Sequence, residues 1–373
     1  MPSFATTEGT SRYAKRFADR AAEGHFRERN GLQLSSIGIG TYLGEPDAAT
    51  DQSYTDAIVA AVSSGVNVLD SAINYRFQRS ERAIGAALRQ LAAAGFQRDE
   101  LLLCTKGGFL TPDGDVPSDP RAYFMDEYIR PGILRPEDIA GGSHCMAPRY
   151  LENQLHRSLR NLGVDCVDVY YVHNPEAQLG SVSRKEFLTR LHAAFEFLQS
   201  AVASGLIRAY GAATWNGFRQ APENSDYLSL HEIVSAAREI AGDAHHFRFV
   251  QLPFNLAMTE ALGRPNQVLD GKCVPMVEAA RHFDITVIAS ASLLQRQVLR
   301  NLPPFVGKVL GLDADLLNAL QFVRSSPGIT TALVGMSRRE HVEFNLRLAG
   351  IPPAPIEQFL KLFESNEESA TED

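Results

Sequence analysis

Four residues whose side chains can move or direct a proton lie at or just after the ends of predicted strands. Asp70 and Tyr75 belong to LDSAINY, Lys106 ends LLLCTK, and His173 ends VDVYYVH. A phenol with a pKa of about 10 is a weak acid at neutral pH, and an adjacent ammonium such as Lys106 lowers that pKa. The Asp70 carboxylate would keep the lysine charged, and the His173 imidazole would orient a substrate oxygen. The pattern therefore predicts Tyr75 as a general acid.

The elements that must position these residues alternate along the chain from about residue 30. Short β-branched or apolar runs are followed by longer segments of helical period, which is typical of a parallel sheet wrapped by helices. Eight strands are predicted, at 34–40, 66–72, 101–106, 167–173, 207–214, 247–254, 285–292 and 330–336. Eight β/α units in one domain favour an α/β fold of the (β/α)8 TIM barrel type over a doubly wound sheet. Active sites of such barrels lie at the carboxyl ends of the strands, where the four residues fall.

The domain organisation follows from the same pattern. An N-terminal extension at 1–25 precedes a single barrel domain at 26–362. Asn30 and Gly31 fit a tight hairpin turn that would cap the bottom of the barrel. Helices are predicted to begin at Ser80, as an N-cap, and after Pro148. The acidic residues at 363–373 offer little apolar area to bury, so a disordered tail is expected there.

Composition argues against several classes of function. The chain has 373 residues, is 45% hydrophobic and carries a formal charge of -8. This acidic balance, without a basic run interleaved with aromatics, argues against a nucleic-acid partner. The four cysteines show neither CxxC nor zinc-like spacing, so we expect no metal and reduced thiols in a cytoplasmic protein. Neither a signal peptide nor a membrane span is predicted.

Several motifs of the chain resemble the aldo-keto reductases, from about Leu34 to Asn345. The segments that carry the resemblance are GIGTYLG at 38–44, GVNVLDSAINY at 65–75, SERAIG at 80–85, CTKGG at 104–108 and SLRNLGVDCVDVYYVHNPE at 158–176. The resemblance implies that Tyr75 is the acid/base, that Lys106 and Asp70 tune it, and that His173 orients a carbonyl. It also implies NADPH or NADH across the barrel mouth, giving a hydride to an aldehyde or ketone.

The same resemblance implies a set of cofactor contacts. Gly40 and Thr41 would lie beside the nicotinamide ribose, and Gln251 would hold the carboxamide. Arg338 or Arg339 could pair with a 2'-phosphate, which favours NADPH over NADH, unless both are simply solvated helix charges. The full set of expected contacts is Gly40, Thr41, Gln251, Ser290, Leu293, Gln295, Gly335, Ser337, Arg338, Arg339 and Asn345.

Some positions depart from the family pattern. Ala213 and Thr214 stand where a Ser-Asn pair usually holds the carboxamide, and Ser290 replaces an aromatic that often stacks on the nicotinamide. Phe344 stands where a carboxylate for the adenine amine is common. The proton-transfer residues are thus kept better than the cofactor contacts.

A long insertion at 109–148 separates the third strand from its helix. Loops of this length in a compact domain are usually functional or disordered, and the aromatics within this one argue against disorder. We expect it to fold over the barrel mouth as a lid or wall of the substrate site. Tyr42, His144 and Trp215 are the candidate substrate contacts, although His144 could be structural and Trp215 could be ordinary packing.

Three functions compete at this point. The first is an NADP-dependent reductase, or alcohol dehydrogenase in reverse, acting on a small-molecule carbonyl or alcohol with Tyr75 as general acid/base. The second is a regulatory protein of the same fold that senses the cofactor with little turnover, because fold alone does not establish function. The third is an isomerase or lyase that uses the same four residues without a cofactor. An intact Tyr75–Lys106 pair favours the first, since a binding module does not need a tuned phenol.

Overall fold

A closed barrel of eight parallel strands forms the centre of the computed structural model, which describes residues 4–368. The strands are β1 (Phe26–Arg29), β2 (Leu32–Ser35), β3 (Ile37–Gly40), β4 (Val68–Asp70), β5 (Leu102–Gly107), β6 (Val167–His173), β7 (Ile207–Ala213), β8 (Phe247–Pro253), β9 (Pro265–Leu269), β10 (Lys272–Pro275), β11 (Thr286–Ser290) and β12 (Ile329–Gly335). Around the barrel the order is β3, β4, β5, β6, β7, β8, β11 and β12, closing back on β3. The predicted (β/α)8 fold is confirmed.

Helices connect the strands and cover the outside of the barrel. They are α1 (Thr7–Arg16), α2 (Ala48–Val62), α3 (Arg79–Ala93), α4 (Pro120–Phe124), α5 (Pro148–Leu162), α6 (Arg184–Ala203), α7 (Leu230–Ala241), α8 (Glu260–Gly263), α9 (Met276–His282), α10 (Pro304–Leu310), α11 (Asp315–Ser325), α12 (Arg339–Asn345) and α13 (Ile356–Glu368). The barrel strands read as nearly continuous apolar runs because both of their faces are covered, and all seven residues of β6 are buried.

Helix α5 shows how the apolar spacing produces this packing. Leu151, Leu155 and Leu162 recur at helical period and are buried against the barrel. The helix starts with Pro148 in its first turn, where a missing backbone N–H costs nothing, and Gly163 ends it at a φ of 67°. Helix α3 differs from the expectation. Ser80 lies inside the helix and does not cap it. Its hydroxyl donates to the Thr41 carbonyl at 2.7 Å.

The N-terminal extension packs on the barrel through α1. Tyr13 is fully buried, and its hydroxyl donates to the carbonyls of Val62 (2.5 Å) and Val66 (2.9 Å). Strands β1 and β2 then form the expected hairpin, in which Asn30 and Gly31 have φ angles of 50° and 74°. Two positive φ angles at the central positions match the right-handed twist of paired strands.

The C-terminal end differs from the expected disordered tail. Helix α13 continues to Glu368, so the first part of the expected tail is helical. Residues 369–373 lie outside the described part of the chain, and so do residues 1–3.

The insertion is ordered and has a small core of its own. Tyr128, Leu134, Cys145 and Tyr150 are buried together, the last of these on α5. The segment contains α4, a π-helical turn at Met125–Ile129 and a 3-10 turn at Pro136–Asp138. The core of the insertion therefore rests on α5.

Two further observations concern residues 4–368. No helix among them is long and apolar enough to cross a membrane. The same residues contain no group of three or more His, Cys, Asp or Glu side chains placed to hold a metal ion.

At Gly85, helix α3 packs tightly against the backbone at the end of α5. A Cβ built there would lie 2.6 Å from the carbonyl oxygen of Asn161 and 2.8 Å from that of Leu162. Backbone atoms cannot yield as a flexible side chain can, so we expect Gly85→Ala to destabilise the protein by about 1–3 kcal/mol. Urea unfolding followed by circular dichroism measures this change.

The control is Gly263→Ala in α8, where an added Cβ would meet nothing within 4 Å. That variant should be neutral or slightly stabilising, because alanine restricts the unfolded chain. Equal effects of the two substitutions would contradict a close helix contact at Gly85.

Candidate active site

The carboxyl ends of β4, β5 and β6 bring the four predicted residues together. Lys106 Nζ lies 2.6 Å from Asp70 Oδ2 and 5.1 Å from the centre of the Tyr75 ring. The rings of Tyr75 and His173 meet edge to face, with centroids 5.8 Å apart. One compact cluster therefore contains a phenol, an ammonium, a carboxylate and an imidazole.

Lys106 is fully buried, and its charge is balanced within the barrel. Its ammonium donates to Asp70 Oδ2 and to the Ser71 carbonyl, each at 2.6 Å. Burial is the largest single effect and opposes the ammonium, but Asp70, Tyr75 and Cys104 together outweigh it and raise the pKa of Lys106 above its ordinary value. The lysine is therefore a permanent cation next to the Tyr75 ring.

Lys106 lowers the pKa of Tyr75 as expected, but the net pKa of the phenol is raised. Burial raises the pKa of the Tyr75 phenol, and the Lys106 ammonium counteracts only part of this rise. Tyr75 consequently carries its proton at neutral pH, as a proton donor must. Tyr42, which is 58% exposed, packs edge to face on Tyr75 with ring centroids 4.9 Å apart.

His173 is an uncharged imidazole in this setting. Burial, with a further contribution from Lys106, lowers the pKa of His173 well below its usual range. Its Nδ1 is buried and has no hydrogen-bond partner among the described residues. The ring of Phe109, at the start of the insertion, stands perpendicular to it at 5.0 Å. A neutral imidazole offers one donor and one acceptor, which suits the orientation of an uncharged carbonyl.

His144 lies behind His173 and not in contact with the mouth, contrary to the expected substrate contact. It is 1% exposed, and its Nε2 lies 2.7 Å from the His173 carbonyl oxygen. Gln178 donates to His144 Nδ1 at 2.8 Å, since the Gln178 oxygen accepts from Arg190. His144 Nε2 therefore carries the proton. Both ring nitrogens are used inside the protein, so His144 supports the backbone of His173.

Gln251 also has a protein partner. Its Nε2 donates to Asp70 Oδ1 at 2.8 Å, so both carboxylate oxygens of Asp70 are bonded. Thr41 is fully buried, and its hydroxyl donates to the Asp70 carbonyl at 3.2 Å and to Ser71 Oγ at 3.0 Å. Gly40 faces open space, because a Cβ built there would meet only the Val334 carbonyl oxygen, at 3.9 Å.

Two buried hydroxyls at the same rim lack a hydrogen-bond partner within the described chain. They belong to Thr214, directly after β7, and Ser292, shortly after β11. Unpaired buried hydroxyls are costly in a folded protein and point to a polar ligand. Sequence reasoning selected Ser290 and missed Ser292, although both belong to the stretch that follows β11.

The stretch after β11 also has an unusual backbone. Ala291, Leu294, Gln295 and Arg296 have φ angles of 51°, 44°, 51° and 67°. Non-glycine residues in this left-handed region are strained, and such strain clusters at ligand sites. Leu293 lies within the same stretch, so the expected cofactor contacts Leu293 and Gln295 share one strained loop.

The remaining expected cofactor contacts lie at the end of β12 and in the residues that follow it. Gly335 is exposed, and the Ser337 carbonyl accepts from Ser53 Oγ at 2.6 Å. Arg339 is paired with Glu343 at 3.0 Å, whereas the one side-chain partner of Arg338 among residues 4–368 is the imidazole of His341, at 2.8 Å. Asn345, on α12, is 4% exposed.

Glu176 has a role that sequence reasoning left unassigned. One oxygen of this buried carboxylate accepts hydrogen bonds from the backbone N–H groups of Trp215 (2.7 Å), Asn216 (3.0 Å) and Gly217 (3.3 Å). It thereby fixes the loop after β7, from which Trp215 projects with 45% of its surface exposed. The position of Glu176 three residues after His173 was the available signal.

Comparison with known proteins identifies the family. A family model described as the aldo/keto reductase family matches residues 36–301. The chain belongs to the aldo/keto reductase family. The match ends before Arg338, so the expected 2'-phosphate contacts lie beyond it.

Individual aldo/keto reductase relatives are distant. The chain is 26% identical over 192 residues to the 6-dehydroglucose reductase of Novosphingobium aromaticivorans, covering 50% of this chain and 49% of the relative. It is 27% identical over 190 residues to the NADH-specific methylglyoxal reductase of Escherichia coli, covering 49% of each. The matched part of this chain thus spans about half the length of these curated relatives.

A solved structure shares the whole fold. The aldo/keto reductase of Klebsiella pneumoniae, described in complex with NADP and acetate, has a TM-score of 0.60 and 20% identity, with 92% of this chain and 96% of that chain covered. At this identity the likeness shows the barrel fold.

His144 should make the stability of this aldo/keto reductase depend on pH. Burial lowers the pKa of His144 to about 4. Between that value and about 6.5, the unfolded state binds the proton and the native state does not, so stability falls as the pH drops. Each such histidine contributes a slope of about 1.4 kcal/mol per pH unit.

We expect His144→Gln to lessen the loss of unfolding free energy between about pH 7.5 and about pH 5 in urea titrations. The exposed His156 on α5 supplies the control, His156→Gln, which should lose stability as the wild type does. If His144→Gln and the wild type lost stability equally, His144 would not be held neutral.

Proposed function

We propose that this protein is an NAD(P)H-dependent oxidoreductase that reduces an aldehyde or ketone to an alcohol, or catalyses the reverse reaction. The observation that carries the proposal is the cluster of Tyr75 with the Lys106–Asp70 ion pair and a neutral His173. Membership of the aldo/keto reductase family supports the same activity. The intact cluster disfavours a regulatory protein without turnover.

The residues of the cluster divide the work of proton transfer. Tyr75 and the N–H of His173 would hold the carbonyl oxygen between them, and Tyr75 would release its proton as negative charge develops on that oxygen. Lys106 then stabilises the phenolate that remains, since its ammonium lies beside the ring. Asp70 keeps Lys106 charged. In the reverse direction the same phenolate would accept the proton of an alcohol.

The rim fits a nicotinamide cofactor. The open side of Gly40 leaves room for the close approach of a ligand, and the unpaired hydroxyls of Thr214 and Ser292 can bond a carboxamide. The strained loop at 291–296 offers backbone groups to phosphates. When bound, NADPH or NADH would supply the hydride. Gln251 would support the site through Asp70.

Arg338 is the better candidate for a 2'-phosphate contact. The carboxylate of Glu343 already neutralises Arg339. Among residues 4–368, the side-chain partner of Arg338 is the uncharged imidazole of His341. An arginine without an acidic partner is free to pair with a phosphate. We therefore propose a preference for NADPH, with NADH as a usable second cofactor.

Replacement of the acid tests the proposed chemistry. We expect Tyr75→Phe to lower turnover by at least about 100-fold while the dissociation constant of NADPH stays nearly unchanged, because only the proton is lost. Oxidation of NADPH is followed with methylglyoxal and para-nitrobenzaldehyde as probe substrates. The control is Tyr13→Phe, which removes a hydroxyl from the N-terminal extension, where it bonds the carbonyls of Val62 and Val66, and should retain turnover. Full activity of Tyr75→Phe would refute the assigned acid.

Cofactor preference has its own measurement. In fluorescence titrations we expect NADPH to bind more tightly than NADH, and Arg338→Ala to reduce this difference about tenfold because a phosphate contact is lost. Arg339→Ala, the matched variant, should change it by about twofold or less. Equal binding of the two nucleotides to the wild type would contradict the proposed preference.

A further inference from the structure

The backbone directly after Tyr75 adopts an uncommon conformation. Arg76, Phe77 and Gln78 have φ angles of 49°, 54° and 73°, so three consecutive non-glycine residues occupy the left-handed region. Residues with a Cβ enter this region at a steric cost and usually singly. Such a run persists only where surrounding contacts compensate for it. The contacts of these three residues therefore show what fixes Tyr75.

Arg76 holds the turn on the side of β3. Its side chain is buried, its Nε donates to the Glu45 carbonyl at 3.0 Å, and its guanidinium is paired with the Asp51 carboxylate. It also lies over the Tyr54 ring, 5.2 Å from the centroid. Glu45 lies in the loop between β3 and α2, which also contains Tyr42, and Asp51 lies in the first turn of α2.

The insertion holds the turn on the opposite side. The Phe77 carbonyl accepts from the Gly114 backbone N–H at 2.9 Å, and Gln78 Nε2 donates to the Pro112 carbonyl at 3.2 Å. The oxygen of the Gln78 amide accepts from Asn161 Nδ2 at 3.1 Å. The turn after Tyr75 is thus clamped between two loops of the barrel mouth.

We propose that Arg76 is a positioning residue that holds this left-handed turn and thereby aims the Tyr75 phenol at Lys106 and His173. A glycine would adopt a φ of 49° without steric cost, so the presence of a buried arginine there indicates that its side chain is needed. The inference rests on the proposed function, in which Tyr75 is the acid. It assigns to Arg76 no contact with substrate or cofactor.

The decisive variant is Arg76→Gly, which keeps the turn accessible and removes the clamp. We expect kcat with NADPH and para-nitrobenzaldehyde to fall about 10- to 100-fold, as misplacement of a reacting group does, while the dissociation constant of NADPH changes less than about twofold. Arg76→Lys, which keeps a cation for Asp51, should recover part of kcat. The control is Arg79→Ala, which removes the other guanidinium from Asp51, at 2.6 Å, and should retain kcat within about twofold.

A second readout does not depend on substrate. The titration of the Tyr75 phenol is followed by NMR of tyrosine labelled at Cζ, with Tyr75→Phe identifying the resonance. Displacement from Lys106 should raise the pKa of the phenol in Arg76→Gly by about half a unit or more. A merely structural role of Arg76 would lower stability and leave this pKa unchanged.

The outcomes separate the inference from the proposed function. Loss of activity in Tyr75→Phe with unchanged kcat and phenol pKa in Arg76→Gly would overturn the positioning role alone. Weaker NADPH binding by Arg76→Gly would make Arg76 a cofactor contact and overturn it as well. Full activity of Tyr75→Phe would refute the proposed function, while the phenol pKa would still report on the clamp. If Arg76→Gly does not fold, Asp51→Asn decides by the same two measurements.

Discussion

The buried ion pair between Lys106 and Asp70 is the interaction on which the rest of the site depends. Both side chains are almost fully removed from water, and removal of one partner from such a pair typically costs about 3–5 kcal/mol because a lone charge stays buried. Two further hydrogen bonds stabilise the pair. Gln251 donates to the second carboxylate oxygen of Asp70, and the Ser71 carbonyl accepts from the Lys106 ammonium. Through this network, the barrel holds a fixed positive charge beside Tyr75.

That fixed charge sets the chemistry of its neighbours in opposite ways. It opposes the protonation of His173, which burial already disfavours, and it counteracts part of the rise that burial imposes on the pKa of Tyr75. The result is a protonated phenol next to a neutral imidazole at physiological pH. An uncharged carbonyl oxygen could accept a hydrogen bond from both groups, whereas an ionised tyrosine would have no proton to donate.

Several contacts around the cluster fix the elements that carry these groups. Glu176 fixes the loop of Trp215, His144 supports the backbone of His173, and the turn at 76–78 follows Tyr75. The insertion contributes to two of these supports, through His144 and through its hydrogen bonds to the turn. The insertion is packed onto the barrel domain, because its aromatic core rests on α5.

The barrel and the four residues of the cluster could be predicted from the sequence, because strand period and side-chain type are local properties and parallel strands must align their carboxyl ends. Burial and hydrogen-bond partners were decided only by the tertiary structure. It turned His144 inward, engaged Gln251 with Asp70, left the hydroxyls of Thr214 and Ser292 unpaired, and raised the pKa of Tyr75 where the sequence suggested a lower value. These properties depend on groups distant in the chain, whose desolvation and contacts no local pattern records.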